Sequence, residues 1–523
     1  MEYLYKLEDS LPRPTFESIT FVSKTRRSTL LFRMYNNLAD KFRNQFYSET
    51  ITNCIFSYGV MLYDNFITVN ILQTVTPTNN AQPEEDSDVY WLAACMYFAA
   101  TLFHNNIPPE AEFFYEVYDE ETFSSARADV LNVLGGYIIR PTACLFVNDD
   151  IGSRNMNIVI KATAILSNEI RLSTYKPSVV ASSIIYMVLG YVPDYLKERN
   201  KEVCDVIHSY ISKEIQTNLS KPSQSTADLN DDIIMLKEII TNKCPETFND
   251  VERPSIKYES KPHVKITDKK YMQVIGNGAG GNVYKVKLES GPVALKVRNG
   301  DFGDSADVAF PRLLFSKNYI INLIDMYSTV ADTGLIETFM FLELGSFDMD
   351  VGITDFGFLA NFDYSIVHLH NLIKGLEWCE YHDVLHGDIK PANIVFDGKY
   401  CKFIDWNLSV AFVSTLTATD QDVRDYVLYT EMFRPPEFRK RKRLTRITFG
   451  MDMWALGITF LIGTGVDYSD AHPQKVGEIE DIRYRALIQS MLVENPRDRV
   501  KASVLAECIE KTYKNLLYKS DRL

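Results

Sequence analysis

No C-x-x-C pair occurs among the eight scattered cysteines of this 523-residue chain, so neither a zinc ribbon nor a disulfide framework is indicated. That usage points to a reducing compartment. Excess positive charge is also missing. The formal net charge of −14 argues against generalised binding to nucleic acid or anionic membranes. No apolar run reaches the roughly 18 residues needed to span a bilayer, and the longer ones, such as 179–192, read as buried helices. The stretch 1–14 is too charged and too proline-broken for a secretory signal. These absences lead us to expect a soluble intracellular protein without a membrane partner. Hydrophobic content of 46% and charged content of 24% are ordinary for a globular protein, and the length favours two or three domains.

Residues 385–395 stand out against that background. Asp388, Lys390 and Asn393 set an acid, a cation and a carboxamide at offsets of two and five residues, between apolar runs that would anchor a loop. A carboxylate that accepts a hydroxyl proton, a lysine beside it and an amide oxygen for a metal suit phosphoryl transfer. Upstream, Gly276, Gly278 and Gly281 make a G-x-G-x-x-G run between two strand patterns, 271–275 and 283–287. A run before a helix would suggest a dinucleotide fold; between strands it fits a hairpin whose bare backbone N–H groups approach phosphate oxygens. Lys296 ends the next strand pattern, where a cation could reach the α- and β-phosphates.

From about residue 18 to 219 the chain reads as helix after helix. Apolar positions recur at three- and four-residue spacing over 26–47, 50–66, 89–104, 124–134, 155–172, 177–189 and 201–217. Turns fall at Pro108, Pro109, Gly135, Gly136, Pro141 and Pro193. No catalytic cluster, metal spacing or glycine-rich loop appears there, which suits an all-α interaction domain. Residues 220–268 are polar and carry Pro222, Pro245, Pro254 and Pro262, with a helical pattern only over 231–241. We read them as a tether of about 45 residues, across which docking is intramolecular and needs no high affinity.

The H-x-D-x-K-x-x-N pattern of residues 386–393 resembles the catalytic loop of eukaryotic protein kinases, and the resemblance extends over 269–515. It implies an α+β bilobal fold that uses ATP and Mg2+ to phosphorylate a protein Ser/Thr hydroxyl. On that resemblance Asp388 and Lys390 are catalytic, and Asn393 and Asp405 hold the metal. The nucleotide would lie against Gly276, Asn277, Gly278, Gly281, Val283, Ala294, Lys296, Leu342, Glu343, Leu344, Asp348 and Val395. Leu342 would be the gatekeeper before the hinge, and Asp348 the acid toward the ribose.

Several departures from the family pattern bear on mechanism. Asp355-Phe356-Gly357 spells the family's metal-binding triplet but precedes the catalytic loop, whereas the metal aspartate must follow it; we therefore choose Asp405, in Asp405-Trp406-Asn407. Trp406 would be the buried aromatic, and Asn407 tolerates positive φ. Alignment backward from 319–323 puts Phe310 where a glutamate should hold Lys296. Asp307 is the nearest acid and reaches only if its helix shifts inward. Asp452 would brace the catalytic loop, and Arg499 would pair with Glu437. Gly387 replaces the usual arginine, and Asp425 aligns with a phosphorylated threonine, so we expect no phosphorylation switch. Thr430 with Lys390 resembles Ser/Thr kinases, and Arg434 matches an arginine favouring Ser/Thr-Pro. His382 and His386 as zinc ligands, and 439–443 as a nuclear-import or nucleic-acid patch, are weaker alternatives to a structural histidine and a solvated loop.

The order of motifs in 18–219 resembles the cyclin fold. Residues 54–66 look like its second helix and 91–100 like its third. Residues 130–134, with Arg140-Pro141-Thr142, look like its fifth, and 175–181 like the entry to a second cyclin box. The family's arginine–aspartate pair would match Arg26 or Arg27 with Asp64, while Thr101 and Arg127 stand where cyclins usually carry the lysine and glutamate that grip a kinase. A generic helical bundle remains open. The expected architecture is multidomain: an all-α cyclin-like domain (18–219), a linker (220–268) and an α+β bilobal protein-kinase domain (269–515). A cyclin-like domain fused ahead of a kinase resembles kinases of giant, mimivirus-type viruses, which implies host cytoplasm or nucleus. The cyclin-like part would dock in cis on its kinase or recruit substrate. The rival is a pseudokinase scaffold that binds host cell-cycle kinases without phosphotransfer.

Overall fold

The computed structural model describes residues 8, 14, 27, 30, 31, 34, 49–74, 87–103, 119–147, 149–194, 196, 201–219, 273–278, 281–288, 291–299, 304–331, 333–411, 430–439 and 447–520. Pro108, Pro109, the linker 220–268 with its helical pattern, Asp425 and the basic run beyond Arg439 lie outside them, as does most of the 26–47 pattern. The chain divides into two compact units, one from Met1–Phe103, Pro109–Leu134 and Ile138–Pro262, the other chiefly His263–Leu523.

The α-helices among the described residues of the first unit include α1 Glu49–Thr74, α2 Ser87–Phe103, α3 Glu120–Leu134, α4 Ser153–Leu166, α5 Pro177–Leu189 and α6 Lys201–Leu219. Arg27, Leu30, Leu31 and Met34, spaced along one helix face, are helical and buried ahead of α1. α1 runs about two turns past the expected end at residue 66, with Ile67 and Val69 still buried. α5 has Pro177 at its first position, and Gly190 in the left-handed region (φ 82°) closes it by donating to the Tyr186 carbonyl at 2.7 Å.

The helix expected over 155–172 instead stops at Leu166, and a separate 3-10 turn follows at Ile170–Thr174. The reason is a non-local ion pair. Arg27 Nε and Nη2 donate to the two Asp64 oxygens at 2.8 and 2.7 Å. The same guanidinium collects the α4-terminal carbonyls of Asn168 (2.8 Å) and Ser167 (3.1 Å), capping the helix there. Thr101 donates back to the Phe98 carbonyl of its own helix, and Arg127 is buried against the Tyr97 and Phe123 rings.

The second unit opens with strands β1 Gln273–Gly278, β2 Gly281–Leu288 and β3 Gly291–Asn299, then helix α7 Asp304–Leu313 and strands β4 Leu323–Val330 and β5 Ile336–Leu342. The sheet is antiparallel in the order β1-β2-β3-β5-β4, so β3 is central. Its one face packs Val286, Val293, Leu295, Phe339 and Phe341. β1 takes in Gly276–Gly278, which were expected only to follow it, and pairs Gly278 with Gly281 of β2. The rest comprises β6 Phe347–Asp348, α8 Met349–Phe356, α9 Phe362–Tyr381, β7 Val384–Leu385, β8 Ile394–Phe396, β9 Cys401–Phe403 and β10 Val410–Ala411. Helices α10 Pro436–Arg439, α11 Gly450–Gly463, α12 Ile482–Met491, α13 Ala502–Thr512 and α14 Lys514–Ser520 complete it. α11 is apolar on all sides and almost wholly buried, which makes its one acid, Asp452, conspicuous. Among the described residues no helix is long and apolar enough to cross a membrane.

Candidate active site

Lys296 sits on β3 opposite Val283 of β2 and Met340 of β5, and is buried. Its Nζ donates to Asp307 Oδ2 at 2.7 Å and to Asp405 Oδ1 at 2.8 Å. Burial alone would depress the Lys296 ammonium; the two carboxylates outweigh it and hold its pKa above the ordinary value. An ammonium has three protons, so one remains for a phosphate oxygen.

The carboxylate on α7 is therefore Asp307, not a residue at the Phe310 position. Phe310 instead faces the interior and stacks on Trp406, ring centroids 6.2 Å apart. That contact draws the helix inward, which is what an aspartate, one methylene shorter than glutamate, requires. Pro311 lies in the last turns of α7 and cannot donate the helix bond to the Asp307 carbonyl. Asp307 Oδ1 accepts the Trp406 main-chain N–H at 2.9 Å, and Oδ2 also accepts from Arg298. Arg298 was missed in the sequence. Its signal was the spacing of two from Lys296, which puts both cations on one face of a strand.

In the loop that carries residues 386–393, Asp388 Oδ2 accepts from Lys390 Nζ at 2.7 Å and from Asn393 Nδ2 at 2.9 Å. Its Oδ1 accepts the Thr430 N–H and hydroxyl, both at 3.0 Å, while Lys390 also donates to the Thr430 oxygen at 2.9 Å. Burial would raise the Asp388 carboxyl; Lys390 and then Thr430 reverse that and hold it below its ordinary value. The loop backbone is held from below. Asp452 accepts the His386 N–H at 2.7 Å and the Gly387 N–H at 3.1 Å. His386 Nε2 lies 3.0 Å from the Ile404 carbonyl and its Nδ1 accepts the Asp388 N–H, which assigns the neutral Nε2–H tautomer and a structural role. Among the described residues no group of three or more His, Cys, Asp and Glu forms a metal cluster.

Asp405 adopts a left-handed backbone (φ 65°), and it, not Asn407, is the non-glycine residue with positive φ in this segment. Trp406 packs between His386 and Phe310, which pins the segment. Asn393 is linked to it through its carbonyl, which accepts the Ile404 N–H at 3.1 Å. Asn393 spends its amide N–H groups on Asp388, leaving Oδ1 as the donor for a cation, and Asp405 gives one oxygen to Lys296. Two hard oxygen donors fit Mg2+, whose other positions go to water and phosphate.

The residues expected to face a nucleotide fall along the sheet and the segment that follows β5. Gly281 (φ 103°) is obligatory, since a Cβ there would meet the Val297 carbonyl oxygen at 2.3 Å. A Cβ on Gly276 would meet only ordinary contacts, so packing does not demand that glycine. Asn277 pairs with Asn282, and Ala294 lies opposite Leu342 at the end of β5. Glu343 turns its carboxylate to Asn322 and Lys402, and its main-chain N–H donates to the Asn322 carbonyl at 3.1 Å. Gly345, the last residue of the pattern read as strand and hinge, lets the backbone pass Val395, whose Cγ1 would lie 1.9 Å from an added Cβ. Asp348 pairs with Val395 and caps α8, accepting the Val351 N–H at 2.9 Å, so one of its oxygens is already engaged. Asp355 is exposed near the end of α8, whose C-cap is Gly357 in the left-handed region, and the triplet is a helix terminus.

Downstream, Arg499 forms a fork on Glu437 at 2.9 and 3.0 Å and donates to the Gly450 carbonyl at 2.6 Å. Arg434 closes the short turn Glu431–Phe433.

Residues 270–513 match the family model described as "Protein kinase domain". Curated relatives include cyclin-dependent kinase B2-2 of Arabidopsis thaliana, 23% identical over 36% of this chain and 62% of that protein. Extracellular signal-regulated kinase 7 of Drosophila melanogaster is 30% identical over 35% of this chain and 21% of its own length. Extracellular signal-regulated kinase 2 of Dictyostelium discoideum is 27% identical over 36% and 52% respectively. This chain thus spans less than two thirds of each of these relatives. Residues 270–513 are thus similar to protein kinase domains.

Proposed function

We propose that this chain is an ATP-dependent kinase of protein Ser/Thr hydroxyls, with its N-terminal helical unit a cyclin-like domain that regulates it in cis or recruits substrate. The observation that carries the catalytic part is Asp388, held ionised on one side by Lys390 and Asn393 and on the other by Thr430. Asp388 orients the substrate hydroxyl and accepts its proton. A carboxylate with a lowered pKa is a weak base, which suffices where little proton transfer precedes phosphoryl departure. Lys390 neutralises charge on the transferring group, and Lys296 donates its third N–H as a hydrogen bond to the phosphates. Bound magnesium, held by Asn393 and Asp405, would screen the phosphate charges. The work is positioning and electrostatics.

A Lys390–Thr430 contact beside the base supports Ser/Thr over Tyr acceptors, and Arg434 supports a following proline. The pseudokinase alternative drew on a missing helix carboxylate; Asp307 at 2.7 Å from Lys296 supplies one, which favours the enzyme. For the cyclin-like part, the support is the helix order and the Arg27–Asp64 pair, together with one relative named a cyclin-dependent kinase.

Transfer of radiolabelled phosphate from ATP to a Ser/Thr peptide library, by the full chain and by Asp388→Asn, tests the activity. Loss in the variant alone is expected; no transfer by either favours the scaffold. A protease site placed in the 220–268 tether tests regulation, and equal rates before and after cleavage would remove it.

A further inference from the structure

Arg298 follows Lys296 by two residues on β3, so the strand period brings both cations to one side. Both donate to the same oxygen of Asp307, Oδ2, while the other oxygen takes the Trp406 N–H. One short carboxylate thus ties α7 twice to the sheet and once to the segment that carries Asp405. Lys296 divides itself between Asp307 and Asp405. Arg298 gives Asp307 a second cation, and the four side chains together are electrically neutral, which is the condition for burying them.

We propose that Arg298 is a positioning residue: it keeps Asp307 ionised and in place, so that α7 stays drawn in and Lys296 stays aimed at the nucleotide without a glutamate's reach. The proposal rests on the kinase reading above. When Lys296 turns to phosphate, Arg298 remains as the counter-ion of Asp307. The apolar side of the same arrangement is Phe310 on Trp406, with Val308 and Ala309 buried beside it. Burial alone would raise the Asp307 carboxyl, yet Lys296 and Arg298 bring it below its ordinary value, consistent with a carboxylate that needs two cations.

The test is calorimetric binding of magnesium with a non-hydrolysable ATP analogue to the full chain, with circular dichroism to verify folding. Arg298→Met should weaken binding about tenfold or more, the scale of one lost charge-assisted hydrogen bond. Arg298→Lys should stay within about threefold of the parent, because it keeps the charge. The double variant Arg298→Met, Asp307→Glu should regain most of the affinity, since the longer acid reaches Lys296 unaided. Binding by Arg298→Met should also fail at a higher pH than in the parent, because its Asp307 protonates more readily. Parental binding by Arg298→Met, or a folded double variant no tighter than it, overturns the proposal. If Arg298→Met does not fold, the double variant and Arg298→Lys decide by the same limits. Parent transfer of labelled phosphate is measured in parallel. Its absence with the binding pattern intact sinks the kinase reading alone; no nucleotide binding by the parent sinks both.

Discussion

Thr430 closes on Asp388 from two directions, its main-chain N–H and its hydroxyl each donating to Asp388 Oδ1 at 3.0 Å. The two residues are thus held together through one carboxylate oxygen. Thr430→Val keeps the backbone bond and the shape but removes the hydroxyl. We expect kcat to fall roughly 10- to 100-fold, the equivalent of one hydrogen bond to a charged group. Thr430→Ser should retain most activity. Steady-state rates of peptide phosphorylation by the three proteins check this.

Two aspartates compete on sequence grounds for the metal role, and their surroundings differ sharply. Asp405 lies 2.8 Å from Lys296, whereas Asp355 is exposed at a helix end. Asp355→Ala is expected to leave the rate within about twofold, as for surface substitutions. Asp405→Ala should abolish transfer and raise the magnesium concentration needed for nucleotide binding. Equal loss in both would contradict the assignment.

The Arg499–Glu437 fork is almost fully buried on the arginine side, 0% exposed, with the glutamate side chain 15% exposed. Arg499→Met leaves Glu437 without its partner and the Gly450 carbonyl without its donor. A cost of about 3–5 kcal/mol is expected in urea unfolding. Replacing both partners with apolar residues should cost less than replacing the arginine alone.

Asp307 carries a pH signature. Its folded pKa lies below the ordinary carboxylate value, because Lys296 and Arg298 outweigh the opposing effect of burial. Between the folded and unfolded values the unfolded chain binds more protons, so stability rises with pH there. The contribution is complete above the unfolded value of about 3.9 and is lost as pH falls through the folded one. Urea midpoints from pH 3 to 6 should therefore differ between the parent and Asp307→Asn by a gap that narrows toward acid. A constant gap would show that the pair adds no charge-dependent stability.

Much of the site was legible because its chemistry is local. Asp388, Lys390 and Asn393 lie within six residues, and the loop that carries them brings them together whatever the remainder does. The glycine run announced a hairpin because Gly281 must take a backbone that side chains disfavour. Asp405 could be preferred to Asp355 from chain order alone, since a metal ligand on the hairpin after the loop has to follow it in sequence. The helices of the first unit were visible as spacing, but their ends were not. α4 stops where Arg27, more than a hundred residues earlier, collects its carbonyls.

What order and periodicity could not decide was the register of α7 against β3. Spacing back from β4 pointed to Phe310, and the carboxylate is Asp307. That choice is made by Phe310 and Asp307 meeting Trp406, contacts between segments about 100 residues apart, and by two cations of β3, Lys296 and Arg298, meeting one Asp307 oxygen. The clamp by Arg298 spans only nine residues but depends on how α7 lies against the sheet, whereas the capping by Asp348 is a contact within three residues. A residue's type sets what bonds it can make, but which partner takes them depends on groups that only the folded core brings within 3 Å, where burial makes an unpaired charge too costly to leave.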